Sequence, residues 1–521
     1  MRFWSRTIRL SLIALVLSAA ESFAQPSQSE AAASAKSRAQ VYPLFQPGVS
    51  ETQHQIKVNG KSLRYLARAG YMNMLDESGK LKANLFFIAY EKLGIRDRSS
   101  RPITFVFNGG PGSSSVWLHM GALGPRRVKM GDAGEALPAP YGLTDNEHTW
   151  LDFTDLVFID PVMTGYSRPA EGEDKKQFHG VKEDVQSVGE FIRLYTTKYQ
   201  RWLSPKFLAG ESYGTTRAAG LSGYLLDRYG MYLSGIALIS SILQFGTARF
   251  DVGNDLPYVL FLPTYTATAW FHNKLPADLQ QDLRKTLDEV EQWALSDYWL
   301  ALAKGDQLSA QERQQVIDRL ARYTGLSKQF IDQADLRIVI YQFVKELLRD
   351  QKRTVGRLDS RFTGIDRTAT GERFEYDPSY AAIYGPFTAA VNHYLRAELN
   401  YENDLIYEIL TRRVRPWNWR TDGGQGYVNV AETLRQAMTK NPYLQVFIAN
   451  GYYDLATPYF ATEYTVSHMQ LDPSLRQNIH MAYYESGHMM YIHLPSLQKF
   501  TRDVREFYQK ALRQAVRNPF E

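Results

Sequence analysis

Residues 210–214 read Gly-Glu-Ser-Tyr-Gly, a Gly-x-Ser-x-Gly pattern in which the central serine can act as a nucleophile. Glycines at the two ends permit a tight turn from a strand into a helix, and that turn leaves the serine hydroxyl exposed. Here the pattern follows a short apolar segment that predicts a strand, Lys206 to Ala209, and precedes the helix-compatible segment Thr215 to Leu226. The context therefore predicts that Ser212 is a nucleophile.

A serine nucleophile needs a general base and an acidic residue that orients the base. With this motif the expected chain order is serine, then aspartate or glutamate, then histidine. The acidic candidate is Asp454, just past a predicted strand, and the histidines that follow it are His468, His480, His488 and His493. A loop-capping aspartate is the alternative role for Asp454.

The predicted elements separate these four histidines. We expect His480 to open a strand and His468 and His493 to lie in helices, where a structural or exposed role is the ordinary one. His488 lies in a predicted loop just beyond a strand. The sequence therefore predicts His488 as the general base and Asp454 as the group that holds its tautomer.

A glycine-rich segment, residues 108–115 (NGGPGSSS), follows the predicted strand Ile103 to Phe107 and leads into a predicted serine-capped helix. Glycines let the backbone approach a substrate closely, and backbone amides can stabilise an oxyanion. A phosphate-binding loop is the alternative. No Gly-Lys-Ser/Thr sequence follows at the spacing such a loop requires, so we expect no nucleotide site.

Strands and helices alternate toward both ends of the chain, a pattern typical of an α/β protein with a mostly parallel sheet. The other predicted strands are Ser62 to Ala67, Ala83 to Tyr90, Asp155 to Ile159, Gln445 to Ala449 and His480 to Tyr484. The predicted helices of these regions are Glu183 to Tyr199 and Pro495 to Ala515. We expect residues 41–260 and 438–521 to build one catalytic core.

Between these regions, residues 261–437 contain charged helical segments. Those segments are Asp278 to Leu302, Ala310 to Tyr323 and Leu336 to Arg349. We interpret the stretch as a helical cap inserted into the core, because the strands on either side are too few to form two separate sheets. A separate domain is the alternative.

The first 24 residues are typical of a secretory signal, with three arginines, an apolar run and a small-residue exit at Ser22-Phe23-Ala24. An uncleaved anchor is the alternative, but the run Leu10 to Ala20 is shorter than the roughly 20 residues that span a bilayer. Residues 25–40 are small and polar and predict a flexible linker. We expect an exported protein, periplasmic or extracellular, without a stable membrane span after cleavage.

The composition excludes several classes of protein. With 521 residues, of which 44% are hydrophobic, the chain can bury a large core. The formal charge of +5 is too small for a nucleic-acid-binding surface, and the absence of cysteine excludes a thiol nucleophile and a thiolate metal site. No His-Glu-x-x-His sequence is present, so we expect neither a metal nor a cofactor.

Several segments together resemble an exported bacterial member of the serine carboxypeptidase family of α/β-hydrolases. The resemblance rests on NGGPGSSS at 108–115, DPVMTGYS at 160–167, GESYG at 210–214, NGYYD at 450–454 and SGHM at 486–489. It covers both ends of the chain and is weaker in the helical middle. It implies an α/β-hydrolase fold, with a mostly parallel central sheet and a helical cap insertion.

The resemblance also implies roles for individual residues. Ser212, Asp454 and His488 would form the catalytic triad, and the amides of Gly110 and Tyr213 would form the oxyanion hole. A second set would receive the terminal carboxylate of a peptide: Asn108, the amide of Gly109 and the side chain of Glu211. That role fits physically, because a carboxylic acid can donate a hydrogen bond to a carboxylate only when it is protonated.

The sequence departs from the family at two positions. Residues 122–125 read Ala-Leu-Gly-Pro, where family members commonly have Glu-Leu-Gly-Pro, so Ala122 replaces a second acid that assists carboxylate recognition. Ser113 stands where the family has a cysteine, and the family's disulfides are absent. These departures leave the predicted triad unchanged.

Three functions follow from this pattern. The leading hypothesis is a carboxypeptidase that acts on peptides with a free C-terminal carboxylate through an acyl-enzyme on Ser212. Another serine hydrolase on the same fold, an esterase, amidase or acyltransferase, is favoured if Ala122 marks loss of the carboxylate site. A catalytically inactive binding protein is the third, and the complete set of triad residues argues against it.

The leader pattern generates a prediction about the mature protein. We expect signal peptidase to cleave after Ala24, so that the exported protein begins near Gln25. Mass spectrometry of the exported protein measures this directly. An intact Met1 would indicate a membrane anchor instead.

Overall fold

The computed structural model describes residues 48–420 and 426–514, so the predicted leader (1–24) and linker (25–40) lie outside the described residues. Within the described ranges, ten strands form one sheet and four short strands form two separate pairs. In chain order the strands are β1 (Val49–Val58), β2 (Lys61–Leu75), β3 (Leu81–Lys92), β4 (Ile103–Phe107), β5 (Arg126–Val128), β6 (Leu143–Asp145), β7 (Asp155–Ile159), β8 (Arg168–Pro169), β9 (Lys206–Ser212), β10 (Gly235–Ser241), β11 (Thr354–Val355), β12 (Thr363–Gly364), β13 (Gln445–Gly451) and β14 (Ile479–Tyr484).

The large sheet has the order β1-β2-β3-β7-β4-β9-β10-β13-β14, and β8 pairs with β3. The strands from β7 to β14 in this order run parallel, whereas β1, β2 and β3 are antiparallel to their neighbours. The parallel strands from β7 to β13 are buried along almost their whole length. Such burial is expected, because parallel sheets are covered by helices on both faces.

Helices connect and cover these strands. In chain order they are α1 (Val116–Leu118), α2 (Val181–Lys198), α3 (Tyr213–Tyr229), α4 (Leu256–Phe271), α5 (Leu283–Trp293), α6 (Trp299–Lys304), α7 (Ala310–Thr324), α8 (Lys328–Gln333), α9 (Ile340–Glu346), α10 (Pro378–Ala397), α11 (Ala431–Lys440), α12 (Tyr459–Ser467), α13 (Pro473–Arg476) and α14 (Leu494–Gln514). In the described part of the chain, no helix combines the length and apolar character needed to cross a membrane.

The two faces of the sheet have different partners. On one face Val446 and Ile448 of β13 belong to a hydrophobic cluster that also contains residues of α2, α3 and α11. On the other face Phe447 contacts Phe500 and Phe507 of α14, with ring centroids 6.3 and 5.6 Å apart. Successive side chains of a strand point to opposite faces, so the alternation along β13 produces a three-layer α/β/α arrangement.

The predicted α/β fold with a mostly parallel sheet is confirmed, as are all seven predicted strands. Three strands of the sheet were missed: β1, β8 and β10. β1 has mostly polar residues and β8 has only two residues, so neither has the pattern that identifies a strand. β10 was not predicted, although its apolar run Ile236 to Ile239 is like those of the predicted strands β4 and β7. β10 lies between β9 and β13 and therefore joins the strands from the two ends of the chain.

One local prediction is wrong. Ser115 precedes the short helix α1, but its hydroxyl makes no capping hydrogen bond and instead donates to the carbonyl of Ile159. The amide of Ser115 donates to Oδ1 of Asp160 at 2.8 Å. Ser115 therefore connects the glycine-rich segment to the end of β7 instead of capping a helix.

The middle of the chain is helical, and its apolar residues form a cluster of their own. Members of this cluster come mainly from α4 to α9, and they include Leu455, the residue after Asp454. Helix α11 packs instead with α3 in the sheet cluster. The division into a core (41–260 and 438–521) and a cap (261–437) stays a prediction.

A buried ion pair connects two helices to the glycine-rich segment. Arg217 of α3 contacts Asp184 of α2, with Nε and Oδ2 2.7 Å apart and both side chains at most 2% exposed. Nη1 of Arg217 also donates to the backbone carbonyl of Asn108 at 2.6 Å. Removing one partner of such a pair would leave a buried charge, so the pair holds Asn108 in a defined position.

Candidate active site

The turn at Ser212 has the geometry that the Gly-x-Ser-x-Gly pattern predicts. Ser212 is the last residue of β9 and directly precedes α3, and its φ of +61° lies in a region that residues other than glycine rarely adopt. The surroundings must hold such a backbone in place. Ser212 is half-buried, whereas Glu211 and Tyr213 beside it are buried, so the turn presents the serine side chain outward.

The two glycines of the motif are required by close backbone packing. A Cβ atom on Gly210 would lie 2.3 Å from the carbonyl oxygen of Gly214. A Cβ atom on Gly214 would lie 2.9 Å from the carbonyl oxygen of Phe107, at the end of β4. Because these neighbours are backbone atoms, they cannot move aside as a flexible side chain could. The pattern is therefore a packing requirement of the turn.

The structure brings Asp454 and His488 into direct contact. Oδ2 of Asp454 accepts a hydrogen bond from Nδ1 of His488 at 2.8 Å, and Asp454 is fully buried. Oδ1 of Asp454 accepts from the amides of Ala456 and Thr457 at 2.8 and 3.0 Å, and Oδ2 also accepts from the Thr457 hydroxyl at 2.7 Å. The carboxylate is thus fixed by donors on its own loop and faces the imidazole.

This contact sets the protonation of His488. Burial alone would lower the pKa of His488, but the charge and hydrogen bond of Asp454 outweigh burial, and the pKa is raised. With a proton held on Nδ1 toward the carboxylate, Nε2 of neutral His488 is left as the basic nitrogen. The arrangement can therefore accept a proton at Nε2 and stabilise the resulting imidazolium.

The loop that contains His488 is attached to the strand beside Ser212. The hydroxyl of Ser240 donates to the His488 carbonyl at 2.6 Å, and Ser241, the next residue, pairs with Ser212 across β9 and β10. Among the described residues, the Ser212 hydroxyl makes no hydrogen bond, either to His488 or to another residue. Catalytic hydrogen bonds in free enzymes are often long and shorten when substrate binds.

The glycine-rich segment lies directly against the turn. A Cβ atom on Gly109 would lie 2.4 Å from the amide nitrogen of Tyr213, so only glycine allows this approach. Gly110 has a φ of +103°, and the amide of Gly110 makes no backbone hydrogen bond within residues 48–420 and 426–514. The amide of Tyr213 opens a helix of 17 residues, whose dipole favours negative charge at this end. The amides of Gly110 and Tyr213 are thus available to an anion.

Glu211 is a buried acid next to Ser212. Its side chain is 3% exposed, and burial raises the pKa of its carboxyl to about 7. The positive charge of His488 and the hydrogen bond from Tyr491 act in the opposite direction and lower this pKa. Asn108 is 1% exposed, and its Oδ1 accepts from the amide of Leu118 at 3.1 Å. Its Nδ2 has no hydrogen-bond partner of normal geometry among the described residues. It nevertheless lies close enough to the Glu211 carboxyl to lower the pKa of that group. The site therefore holds a proton donor with a buried amide beside it.

Two neighbours of the site were missed by the sequence analysis. Tyr491 donates to Oε2 of Glu211 at 2.5 Å. Asp359, in the helical middle region, accepts from the amide of Gly487 at 3.0 Å and contacts Arg361, with Nη2 and Oδ2 2.6 Å apart. Tyr491 lies only three residues after His488, which was a signal that could have been used. Nothing in the sequence around Asp359 indicates its contact with residue 487.

The segment around Asp359 supports the loops of both Asp454 and His488. The amide of His488 donates to the carbonyl of Leu358 at 2.6 Å, and the amide of Ser360 donates to the carbonyl of Tyr453 at 3.0 Å. Asp359 lies between these two contacts and is 3% exposed. The helical middle region therefore contributes directly to the position of His488.

The remaining histidines lie away from these contacts. His480 is in β14, as predicted. His468 directly follows α12, and His493 lies between a short 3₁₀ turn (Met490–Ile492) and α14, so the prediction that both lie within helices is wrong by one residue in each case. Among the residues that the structure describes, no cluster of three or more histidine, aspartate or glutamate side chains could hold a metal ion.

A parallel sheet with a serine at a strand-to-helix turn and an Asp-His pair beyond later strands defines an α/β-hydrolase. A family model described as serine carboxypeptidase matches residues 59–491. The match covers most of the chain, and the protein therefore belongs to the serine carboxypeptidase family. The resemblance noted in the sequence is confirmed.

Individual relatives are more distant. The chain is 29% identical over 195 residues to the pheromone-processing carboxypeptidase KEX1 of Metarhizium robertsii, which covers 37% of this chain and 27% of the relative. It is 29% identical over 165 residues to the serine carboxypeptidase-like 33 protein of Arabidopsis thaliana, covering 31% of each. The chain thus spans less than a third of the length of these curated relatives.

The crystal structure of Kex1(delta)p, a prohormone-processing carboxypeptidase from Saccharomyces cerevisiae, has a similar fold. The TM-score is 0.52 with 16% sequence identity, and the similarity covers 85% of this chain and 91% of that one. At this level of identity the likeness concerns the fold alone.

The contact between Asp359 and the His488 loop generates a prediction. Asp359→Asn keeps the shape of the side chain but removes the charge opposite Arg361, so the loop should shift and kcat should fall, by up to about a hundredfold for a displacement near 1 Å. Circular dichroism shows whether the variant is folded, and kcat, measured with a substrate that the wild type hydrolyses, tests the prediction.

Two further variants act as controls for Asp359→Asn. Asp404→Asn removes the acid of an exposed pair with Arg396 and should change neither kcat nor stability. The double variant Asp359→Asn with Arg361→Met leaves no buried unpaired arginine, so it keeps the test valid if the single variant unfolds. A folded double variant with unchanged kcat would contradict a positioning role.

Proposed function

We propose that this protein is a serine-type carboxypeptidase, which releases C-terminal amino acids from peptides through an acyl-enzyme on Ser212. The observation that carries this proposal is the buried contact of 2.8 Å between Asp454 and His488, which prepares a base in the loop tied to the strand beside Ser212. Membership of the serine carboxypeptidase family supports the reaction class. Peptides with a free C-terminal carboxylate are the proposed substrates.

In this mechanism Nε2 of His488 removes the proton from the Ser212 hydroxyl as its oxygen attacks the scissile carbonyl. The amides of Gly110 and Tyr213 donate hydrogen bonds to the oxyanion that forms. His488 then gives its proton to the leaving amine, and the C-N bond breaks to leave an ester on Ser212. Water, deprotonated by His488, hydrolyses the ester and restores the serine hydroxyl.

The side chain of Asn108, the amide of Gly109 and the carboxyl of Glu211 receive the terminal carboxylate in this proposal. Glu211 must be protonated to donate a hydrogen bond, because two carboxylates would repel each other. A pKa of about 7 keeps much of the population protonated at neutral pH. The buried amide of Asn108, which makes no hydrogen bond of normal geometry through Nδ2 and lies beside Glu211, supports a role as a second donor.

A second candidate is another serine hydrolase on this fold, an esterase, amidase or acyltransferase. The observation that favours it is Ala122, a fully buried small residue where relatives commonly have an acid. Without that acid, recognition of a substrate carboxylate depends on fewer donors. Comparison of acid, amide and ester substrates separates the two candidates.

We also propose that the protein is exported to the periplasm or beyond the cell, on the basis of its leader pattern. Residues 261–437 act in this proposal as a cap over the catalytic edge of the sheet. The contact between Asp359 and the His488 loop supports this placement of the cap. Pockets for substrate side chains would lie between the cap and the core.

Removal of Ser212 or His488 should abolish turnover. We expect Ser212→Ala and His488→Ala each to reduce kcat by about 10⁴-fold or more, because triad residues act as a unit, and the double variant to lose little more. Peptide hydrolysis measures the loss, and labelling by a fluorophosphonate, expected for the wild type and absent in Ser212→Ala, separates an enzyme from an inactive binding protein.

Matched controls exist on the same elements. Ser222→Ala removes another buried hydroxyl of α3, which donates to the carbonyl of Ala219, and should keep kcat. His468→Ala and His493→Ala should also retain activity. Near-native activity of His488→Ala, with loss in either of these two variants, would show that the base is assigned to the wrong histidine.

The protonation of Glu211 predicts a pH effect that depends on the substrate. Above pH 7 Glu211 loses its proton, so KM for a blocked dipeptide with a free carboxylate should rise about tenfold between pH 6 and 8, whereas KM for its amide should stay constant. In Glu211→Gln the profile for the free acid should be flat, since an amide donates at every pH. Equal profiles for acid and amide would favour the esterase or amidase candidate.

A further inference from the structure

Tyr491 makes a contact that the proposed mechanism has not used. It lies in the 3₁₀ turn Met490–Ile492, is 1% exposed, and its hydroxyl donates to Oε2 of Glu211 at 2.5 Å. The two residues are 280 positions apart in the chain. A buried acid is therefore held by a phenol that belongs to the same loop region as His488.

The space for the Tyr491 ring is provided by small residues in the opposite wall. That wall is the segment His119–Leu123, in which a Cβ atom on Gly121 would lie 2.6 Å from Cε2 of Tyr491. Ala122, next to Gly121, is fully buried. The segment that commonly contains an acid in relatives thus has two small residues here, and an aromatic ring from another part of the chain packs against it.

Asn108 belongs to the same group of side chains. It interacts with the Glu211 carboxyl and with the Tyr491 hydroxyl closely enough to lower the pKa of both groups. The other charged groups that act on Glu211 are His488, which lowers its pKa, and Asp454, which raises it. Burial keeps the pKa of Tyr491 well above 10, so its hydroxyl stays neutral. Glu211 is therefore the only acid of this group of three.

The hydrogen bond decides which oxygen of Glu211 can donate. A protonated carboxyl has one proton, and an oxygen that accepts from Tyr491 is best used as the carbonyl oxygen. When Oε2 accepts a hydrogen bond from the phenol, the proton of Glu211 belongs on Oε1. A fixed donor position matters because binding groups must be held close to the productive geometry.

We propose that Tyr491 is a positioning residue of the carboxylate subsite, which holds Glu211 so that Oε1 donates to the terminal carboxylate of the substrate, and which stands in for the acid absent at Ala122. This inference rests on the proposed carboxypeptidase function. Because the phenol does not titrate, recognition of the substrate carboxylate depends on a single proton. The logarithm of KM for free-acid peptides should therefore rise with pH at a slope of one.

Tyr491→Phe tests the role of the hydroxyl with the ring retained. We expect KM for a blocked dipeptide acid at pH 6 to rise about five- to tenfold, the usual effect of losing one hydrogen bond, with little change in kcat. The increase of KM with pH should begin at a higher pH than in the wild type, because the phenol no longer stabilises the Glu211 carboxylate. KM for the matched amide should not change.

The control is Tyr484→Phe, which removes a similar buried phenol. Tyr484 is 2% exposed and donates to Oδ2 of Asp503 on α14 at 2.8 Å. This variant should lose stability but keep both KM profiles. If Tyr491→Phe does not fold, the slope of one in the wild type still tests the single-proton prediction, and a slope of two would overturn it.

The outcomes separate this inference from the function on which it rests. If the wild type has the same KM for the acid and the amide at every pH, the carboxypeptidase proposal itself is rejected. A wild type that discriminates between them, with a Tyr491→Phe variant that keeps the wild-type pH profile or loses acid and amide equally, would reject the role of Tyr491 alone. Tyr491→Phe in the Glu211→Gln background should raise KM for the acid without any pH shift.

Discussion

The site depends on the close approach of the glycine-rich segment to the turn at Ser212. Gly109, Gly210 and Gly214 each lie so near to other backbone atoms that a methyl group would overlap with them. This packing supports the positive φ of Ser212, which is costly for a residue other than glycine. The same contacts bring the glycine-rich segment against the first amide of α3. Ser212 and the amides proposed to bind the oxyanion are therefore one packing unit.

The parallel sheet brings the other catalytic candidates to this unit. β13 and β14 are parallel neighbours, so the loops that follow them leave from the same edge of the sheet. Asp454 and His488 lie in these two loops and meet at 2.8 Å. β10 separates β13 from β9, and Ser240 at its end donates to the backbone of His488. Strand order thus sets the distance between the loop of His488 and the turn of Ser212 before any side chain is placed.

Burial then determines the chemistry of the groups at this edge. Asp454 is fully buried but surrounded by donors, and its contact raises the pKa of His488. Glu211 has fewer donors, so burial dominates and raises its pKa to about 7. Two carboxyls close to one histidine consequently differ: Asp454 accepts a hydrogen bond from the imidazole, and Glu211 can hold a proton.

The residues of the turn, the glycine-rich segment and the Asp-His order were predictable from sequence, because each depends on local rules. A glycine spacing specifies a turn, and the position of a loop after a strand specifies which residues reach the edge of a sheet. The parallel sheet itself followed from the alternation of strands and helices. Even so, β10 was missed, although its apolar run Ile236 to Ile239 is like those of the predicted buried strands β4 and β7.

The contacts of Tyr491 with Glu211 and of Asp359 with Gly487 were decided only by the tertiary structure. They join residues 280 and 128 positions apart, and neither has a spacing or motif that local backbone rules could recognise. Such pairs depend on how whole elements pack, including the room left by Gly121. The sequence by itself determined which groups could perform acyl transfer. The packing of distant segments decided which neighbours would set their protonation and hold them in place.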